Sequence, residues 1–142
     1  MSLSEQDLDF LTNNRSAAMI TIARGGTPKA ARVGVALVDG KLWSSGTADR
    51  VRTGRLRRDP RCTLFVYDTG YAWLALETSV TILDGSDAAE RNLRFFRVMQ
   101  ERPTGPLSWF GGEVAEDDFL LAMVDERRLI YEFEVHHTYG LH

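Results

Sequence analysis

Thr47-Ala48-Asp49-Arg50-Val51-Arg52-Thr53-Gly54-Arg55-Leu56-Arg57-Arg58-Asp59-Pro60-Arg61 is the stretch on which the reading of this chain turns. It sets six arginines within twelve residues of a 142-residue chain whose formal net charge is -3. Arginine presents a fixed fork of donors that matches phosphate and carboxylate, and it does not lose its charge. The stretch follows an apolar, strand-like run, Lys41-Leu42-Trp43-Ser44-Ser45, and it ends at Asp59-Pro60, which stops a helix. A strand, a small polar turn and a basic helix start together suit an anion, because a helix N-terminus offers free N–H groups and the positive end of its dipole. The same arginines also fit a solvated basic helix face, the usual fate of a charge run.

Working outward on the N-terminal side, Asp39-Gly40 is a hairpin turn signal. Before it, residues 29–38 carry Ala31, Val33, Val35 and Leu37 at period two, so they predict a strand. Gly25-Gly26-Thr27-Pro28 is a turn, and residues 17–23 predict the strand before it. Residues 4–13 predict a short helix, with Ser4 as cap and Asp7 three residues on. On the other side, residues 62–68 and 72–83 predict two strands joined at Asp68-Thr69-Gly70. A helix over 87–101 follows, with Arg91, Arg94 and Arg97 on its outer side. Residues 103–112 read as a loop carrying Trp109 and Phe110, residues 115–125 as a helix, and 127–137 as an alternating last strand. Hairpin-linked strands argue for a small closed barrel rather than a parallel sheet, and closure removes vulnerable edges. The expected class is mainly β (α+β), a six-stranded antiparallel barrel with flanking helices, in one domain spanning 1–142.

Composition narrows the function classes. Hydrophobic residues make up 44% of the chain, enough for a real core, and its longest apolar run is far too short for a membrane span. The first residues lack the basic and apolar segments of a signal peptide, so a cytoplasmic location is expected. Cys62 is the one cysteine and reads as a core residue; the three histidines, His136, His137 and His142, cluster at the end, so no metal set is expected.

The order of elements and three motifs resemble the pyridoxamine 5'-phosphate oxidase-like split-barrel superfamily. The motifs are Gly26-Thr27-Pro28-Lys29-Ala30-Ala31-Arg32-Val33-Gly34-Val35, then Trp43-Ser44-Ser45-Gly46-Thr47 with Arg50-Val51-Arg52 and Leu56-Arg57-Arg58-Asp59-Pro60-Arg61, and the strand Tyr71 to Glu77. The resemblance implies a split β-barrel homodimer with the cofactor, FMN or coenzyme F420, at the interface. Transferred by position, Arg50 and Arg52 would hold the cofactor phosphate, Thr47 and Ser45 would add hydroxyl donors, and the backbone of Val33, Gly34 and Val35 would line the ring. Arg55 stands where many relatives have Asn, and Arg52 where lysine is common; an extra guanidinium would favour a longer anionic tail, as in the deazaflavin, and the string 56–61 is most similar to that branch. A pyridoxamine phosphate oxidase proper is not expected, since its substrate-binding Arg and His pattern is not recognisable in residues 135–140.

The reaction implied is hydride transfer between the cofactor and a small organic substrate, with no protein nucleophile expected and no catalytic residue named. A non-catalytic flavin or haem binder of the same fold is the alternative, and haem would need His136 or His137 as axial ligand. A nucleic-acid module ranks lower, because the chain is acidic overall and no aromatics interleave with the arginines. Trp73 reads as core packing or as a ring-stacking residue, Trp109 and Phe110 as a substrate lid, dimer contact or hydrophobic anchor, and Glu77 as the partner of an arginine. His137 and Tyr139 are expected past the last strand.

Overall fold

The computed structural model describes residues 3–142. Helix α1, Glu5–Asn13, begins where the sequence places it: the Ser4 hydroxyl accepts from the Asp7 backbone N–H at 3.0 Å, and the Asp7 carboxylate accepts from the Ser4 N–H at 3.2 Å. Strands β1 (Ser16–Ile22), β2 (Pro28–Gly34), β3 (Ala36–Val38) and β4 (Lys41–Thr47) follow. Helix α2 is Val51–Arg58, and strands β5 (Arg61–Tyr67) and β6 (Trp73–Leu83) come next. The second half holds α3 (Ala88–Gln100), β7 (Leu107–Trp109), β8 (Gly112–Val114), α4 (Glu116–Asp125) and β9 (Arg128–Leu141).

Seven strands form one curled antiparallel sheet in the order β2-β1-β5-β6-β9-β4-β3, against the six expected. The extra strand arises because the run 29–38 divides at Val35. There the chain leaves β1 and passes to β4, and the Val35 N–H donates to the Arg15 carbonyl at 2.9 Å instead of continuing a ladder. The two edge strands are therefore consecutive in sequence, and the sheet curls until β2 approaches β4, where the Ser44 hydroxyl donates to the Gly34 carbonyl at 2.6 Å. Asp39 and Gly40 both take positive φ, 50° and 79°, as a two-residue hairpin turn between β3 and β4 requires.

The inward faces of the strands form the barrel core, with Met19, Leu64, Leu74, Leu76, Leu129, Tyr131 and Phe133 among its members. Burying such side chains contributes roughly 1.5–3 kcal/mol each. A second cluster lies outside the sheet, where α3 lays Phe95 on Trp43 and Ile130. Arg91 and Arg94 close over the Trp43 ring at 5.8 and 5.5 Å, so the basic side of α3 caps an aromatic rather than standing free. Arg97 is drawn in further, to the carbonyls of Arg102 and Gly105 and the Glu116 carboxylate.

Further expectations change. The expected loop at 103–112 is instead mostly part of a β7–β8 hairpin, because Trp109 anchors it against Phe96 and Phe119. The last strand runs on to Leu141, so His137 and Tyr139 belong to the sheet rather than to a tail; a register shift between Glu77 and Thr78 lets β9 follow β6 to its end. Trp73 lies on the outer face, stacked on Phe65 at 5.2 Å and met edge-on by Tyr139 at 5.9 Å. Glu77 is exposed, and no arginine lies within ion-pair distance of it among the described residues. No helix in the described residues is long and apolar enough to cross a membrane.

Candidate functional site

The six arginines of the opening stretch sort into two groups. Arg57 pairs with Asp84 at 2.9 Å, Arg58 donates to the Ile22 carbonyl at 2.9 Å, and Arg61 pairs with Asp59 at 2.8 Å. The Arg61 side chain and backbone N–H hold the Asp59 carboxyl down at about 2. These three are solvated helix-end and strand-start residues. Arg50, Arg52 and Arg55 have no carboxylate partner among the described residues.

Arg52 is the informative one. It sits one turn before Leu56, which is buried in the core, so α2 presses its guanidinium inward, with Cζ 5.9 Å from the centroid of the Tyr131 ring. Burial pushes its pKa below the ordinary arginine value, and the neighbouring Tyr131 counters this in part. Its Nε is buried with no hydrogen-bond partner. A half-buried guanidinium with one unsatisfied buried donor and no counter-charge is costly unless an anion completes it.

Arg52 lines a cleft of about 220 Å³ with Arg32, Val33, Gly34, Ser44, Ser45 and Arg128, walled on one side by Phe95, Phe96 and Met99 of α3. Neither Arg32, present only within a motif, nor Arg128 is among the site residues named from sequence. Arg32 is an exposed residue of an edge strand, and Arg128 reaches the cleft because β9 pairs it with Thr47 of β4. Arg128 is also held by the Glu126 carboxylate at 3.0 Å and packs over the Trp109 ring at 5.1 Å. Alternation places it on the outer face of β9, the face on which Ile130 packs against Phe95 of α3, and only the cross-strand register shows which β4 residue it meets.

A second, wider cleft of about 800 Å³ shares Arg128 and is lined by Thr47, Asp49, Arg50, Val51, Phe110, Asp125, Glu126 and Arg127. Of the eight residues singled out from sequence, then, Val33, Gly34, Ser45 and Arg52 meet in the first cleft, while Thr47 and Arg50 line the second. Val35 is fully buried in the core, and Arg55 lines neither cleft. The two hydroxyls are engaged: Ser45 donates to the Asn92 amide oxygen at 2.5 Å, and Thr47 to Asp49 at 2.6 Å. That bond from Thr47, more than the flanking Arg127 and Arg50, lowers the Asp49 pKa.

The walls are fixed by two close approaches. A Cβ on Gly46 would fall on the Tyr131 ring and hydroxyl, so glycine here lets Tyr131 lie beneath Arg52 and bond the Thr53 hydroxyl. A Cβ on Gly34 would meet only the terminal methyl of Met99, so this glycine keeps the cleft open. His136 is tied to Ser79 at 2.7 Å and His137 lies beside Tyr139; neither lines the arginine clefts.

Solved structures of similar fold cover nearly the whole chain. A conserved hypothetical protein of Mycobacterium tuberculosis matches with a TM-score of 0.74 at 21% identity, covering 99% of this chain and 86% of that one. An F420 reductase matches with 0.68 at 15% identity, over 96% of this chain and 98% of its own. An FAD-binding protein of Mesorhizobium loti gives 0.65 at 16% identity, over 97% and 94%. At such identities the likeness is one of fold. The sequence itself matches the family model described as pyridoxamine 5'-phosphate oxidase over residues 3–137. By that match, and by the split-barrel fold that accompanies it, this chain belongs to the pyridoxamine 5'-phosphate oxidase family.

Proposed function

We propose that this protein is an oxidoreductase that moves hydride between a bound flavin or deazaflavin, FMN or coenzyme F420, and a small organic substrate. One observation carries the reading: the partly buried Arg52 guanidinium, its Nε without a partner, beside Arg32 and Arg128 in one cleft. An anionic cofactor supplies the missing acceptor. Relatives of this fold include an F420 reductase and an FAD-binding protein, which supports the cofactor class.

In this reading Arg52 holds the cofactor phosphate from inside the cleft and Arg50 from the start of α2. Ser45 and Thr47 would exchange Asn92 and Asp49 for phosphate oxygens. The backbone at Val33 and Gly34 lies along the ring, with Met99 and Phe96 excluding water from it. When bound, the cofactor supplies the hydride chemistry. The chain's own contribution is binding, orientation and a dry wall. Titrating cofactor-free protein with FMN and with coenzyme F420, native and Arg52→Ala, tests this: tight binding of either, weakened by the substitution, is expected. Absence of binding by both sinks it.

A homodimer accompanies the reading. One rung of the outer sheet face runs Arg32, Ala18, Phe65, Ala75, Tyr139 across five strands, with Trp73 and Leu141 on the next. This half-exposed aromatic surface is continuous with the Arg32 side of the cleft, so a second copy lying there would bury it and close the site. Light scattering at micromolar concentration should give twice the chain mass, and Trp73→Glu should give monomers. A monomeric native protein would remove the dimer from the proposal.

A further inference from the structure

Phe110 is 84% exposed at the tip of the β7–β8 hairpin and lines the wide cleft beside Arg50, Arg127 and Arg128. Its backbone is in the left-handed region at φ 51°, followed by Gly111 at 79°, a two-residue turn whose first position suits Asn or Gly. A bulky residue there is strained, and exposed apolar surface returns little stability. The hairpin behind it is held firmly. Leu107 is buried, Gln100 brackets Ser108 with two hydrogen bonds at 2.9 Å, and the Trp109 indole N–H donates to Glu126 at 2.9 Å. A rigid arm therefore holds one largely exposed aromatic ring, met edge-on by Trp109 at 5.3 Å, over a cleft.

We infer that Phe110 is a stacking platform for the second flat ring of a dinucleotide flavin whose phosphates lie at the start of α2. The inference rests on the flavin reading above and narrows it. Arg50 and Arg52 are two residues apart but line different clefts, and Arg128 borders both. A ligand with phosphates at that boundary and its reactive ring along Gly34 must send its other end into the wide cleft. That cleft balances Arg50, Arg127 and Arg128 against Asp49, Asp125 and Glu126. A polyanionic tail gains little from such a lining, whereas a neutral base keeps its stacking on Phe110.

The test compares binding of FMN, FAD and coenzyme F420 to the full chain by calorimetry. FAD is expected to bind about 10- to 100-fold more tightly than FMN, and Phe110→Ala to reduce that ratio to near one while leaving FMN affinity unchanged. Phe110→Asn, which restores the preferred turn, should melt no lower than the native chain. Equal affinity for FMN and FAD, or a preference that survives Phe110→Ala, overturns the inference and leaves the flavin reading standing. Binding of F420 alone overturns it and leaves the deazaflavin reading. A marked fall in melting temperature for Phe110→Asn makes Phe110 a structural anchor and also overturns it. If none of the three binds, both readings fall together.

Discussion

Arg52→Met separates what a ligand needs from what the fold needs. The substitution keeps a flexible, straight side chain beside Tyr131 and removes the guanidinium. In the native chain the buried Nε lacks a partner, and leaving such a donor unsatisfied costs about 1–3 kcal/mol. Against this, the guanidinium gains from its place over the Tyr131 ring, about 0.5–1 kcal/mol for a partly exposed cation. The balance favours the variant by up to about 2.5 kcal/mol when no ligand is present, a rise of up to roughly 8 °C in melting temperature for a chain of this size. Ligand binding moves the other way. Charge-assisted hydrogen bonds are worth about 1.5–3 kcal/mol, so the FMN dissociation constant should rise roughly 10- to 150-fold. Scanning calorimetry of the ligand-free proteins and a fluorescence titration with FMN measure the two effects. The native affinity should also fall with added salt more steeply than that of the variant. A variant that melts lower and binds FMN as tightly as the native chain would show that Arg52 supports the fold, and would refute the reasoning.

Other substitutions probe the walls and the core. Gly46→Ala should lower stability by about 1–3 kcal/mol, read as an earlier urea midpoint, because the new methyl displaces Tyr131 from Thr53. Gly34→Ala should leave the melting temperature within a few degrees, since the flexible end of Met99 yields, yet weaken FMN binding by narrowing the cleft; unchanged affinity would contradict the placement. Burial pushes the Cys62 thiol up to about 12 from 9.0, so the native protein should resist thiol reagents at pH 8 and react only after denaturation. Between those two values the unfolded chain binds fewer protons than the folded one. Stability should therefore fall as pH rises above about 9, by at most about 1.4 kcal/mol per pH unit, and Cys62→Ala should remove that slope. Ser4→Ala should cost about 1 kcal/mol through the lost cap of α1, seen as a lower melting temperature.

What could be read from the sequence was local. The capping box at Ser4, the Asp39-Gly40 turn and the Asp59-Pro60 stop each depend on residues within a few positions of one another, and all three occur. The division at Val35 was not legible, because period two continues through it; only the pairing partners change. The hairpin at 107–114 was hidden for a different reason. Its strands are too short to show alternation, and Trp109 finds its partners on α3 and α4. At the candidate site, charge density picked out α2, but it could not rank its arginines. That ranking comes from where Asp84, Ile22 and Asp59 lie in space, which leaves Arg50, Arg52 and Arg55 without an ion pair among the described residues. Arg32 lies within a sequence motif that assigns it no role, and Arg128 joins the cleft through strand register, which no motif encodes.

The position of β9 has a consequence for how the chain is made. It pairs with β6 on one side and with β4 on the other, so β1, β2, β5 and β6 meet β3 and β4 through this strand. Those partners are complete long before residue 128 is synthesised, and each must wait with an open edge. Closure thus waits for a long-range pairing, which predicts slow folding and a nascent chain exposed to aggregation until β9 emerges. A chain stopped at Arg127 should fail to accumulate as folded protein, even though it retains Arg52, Phe110 and every other named residue of the two clefts except Arg128.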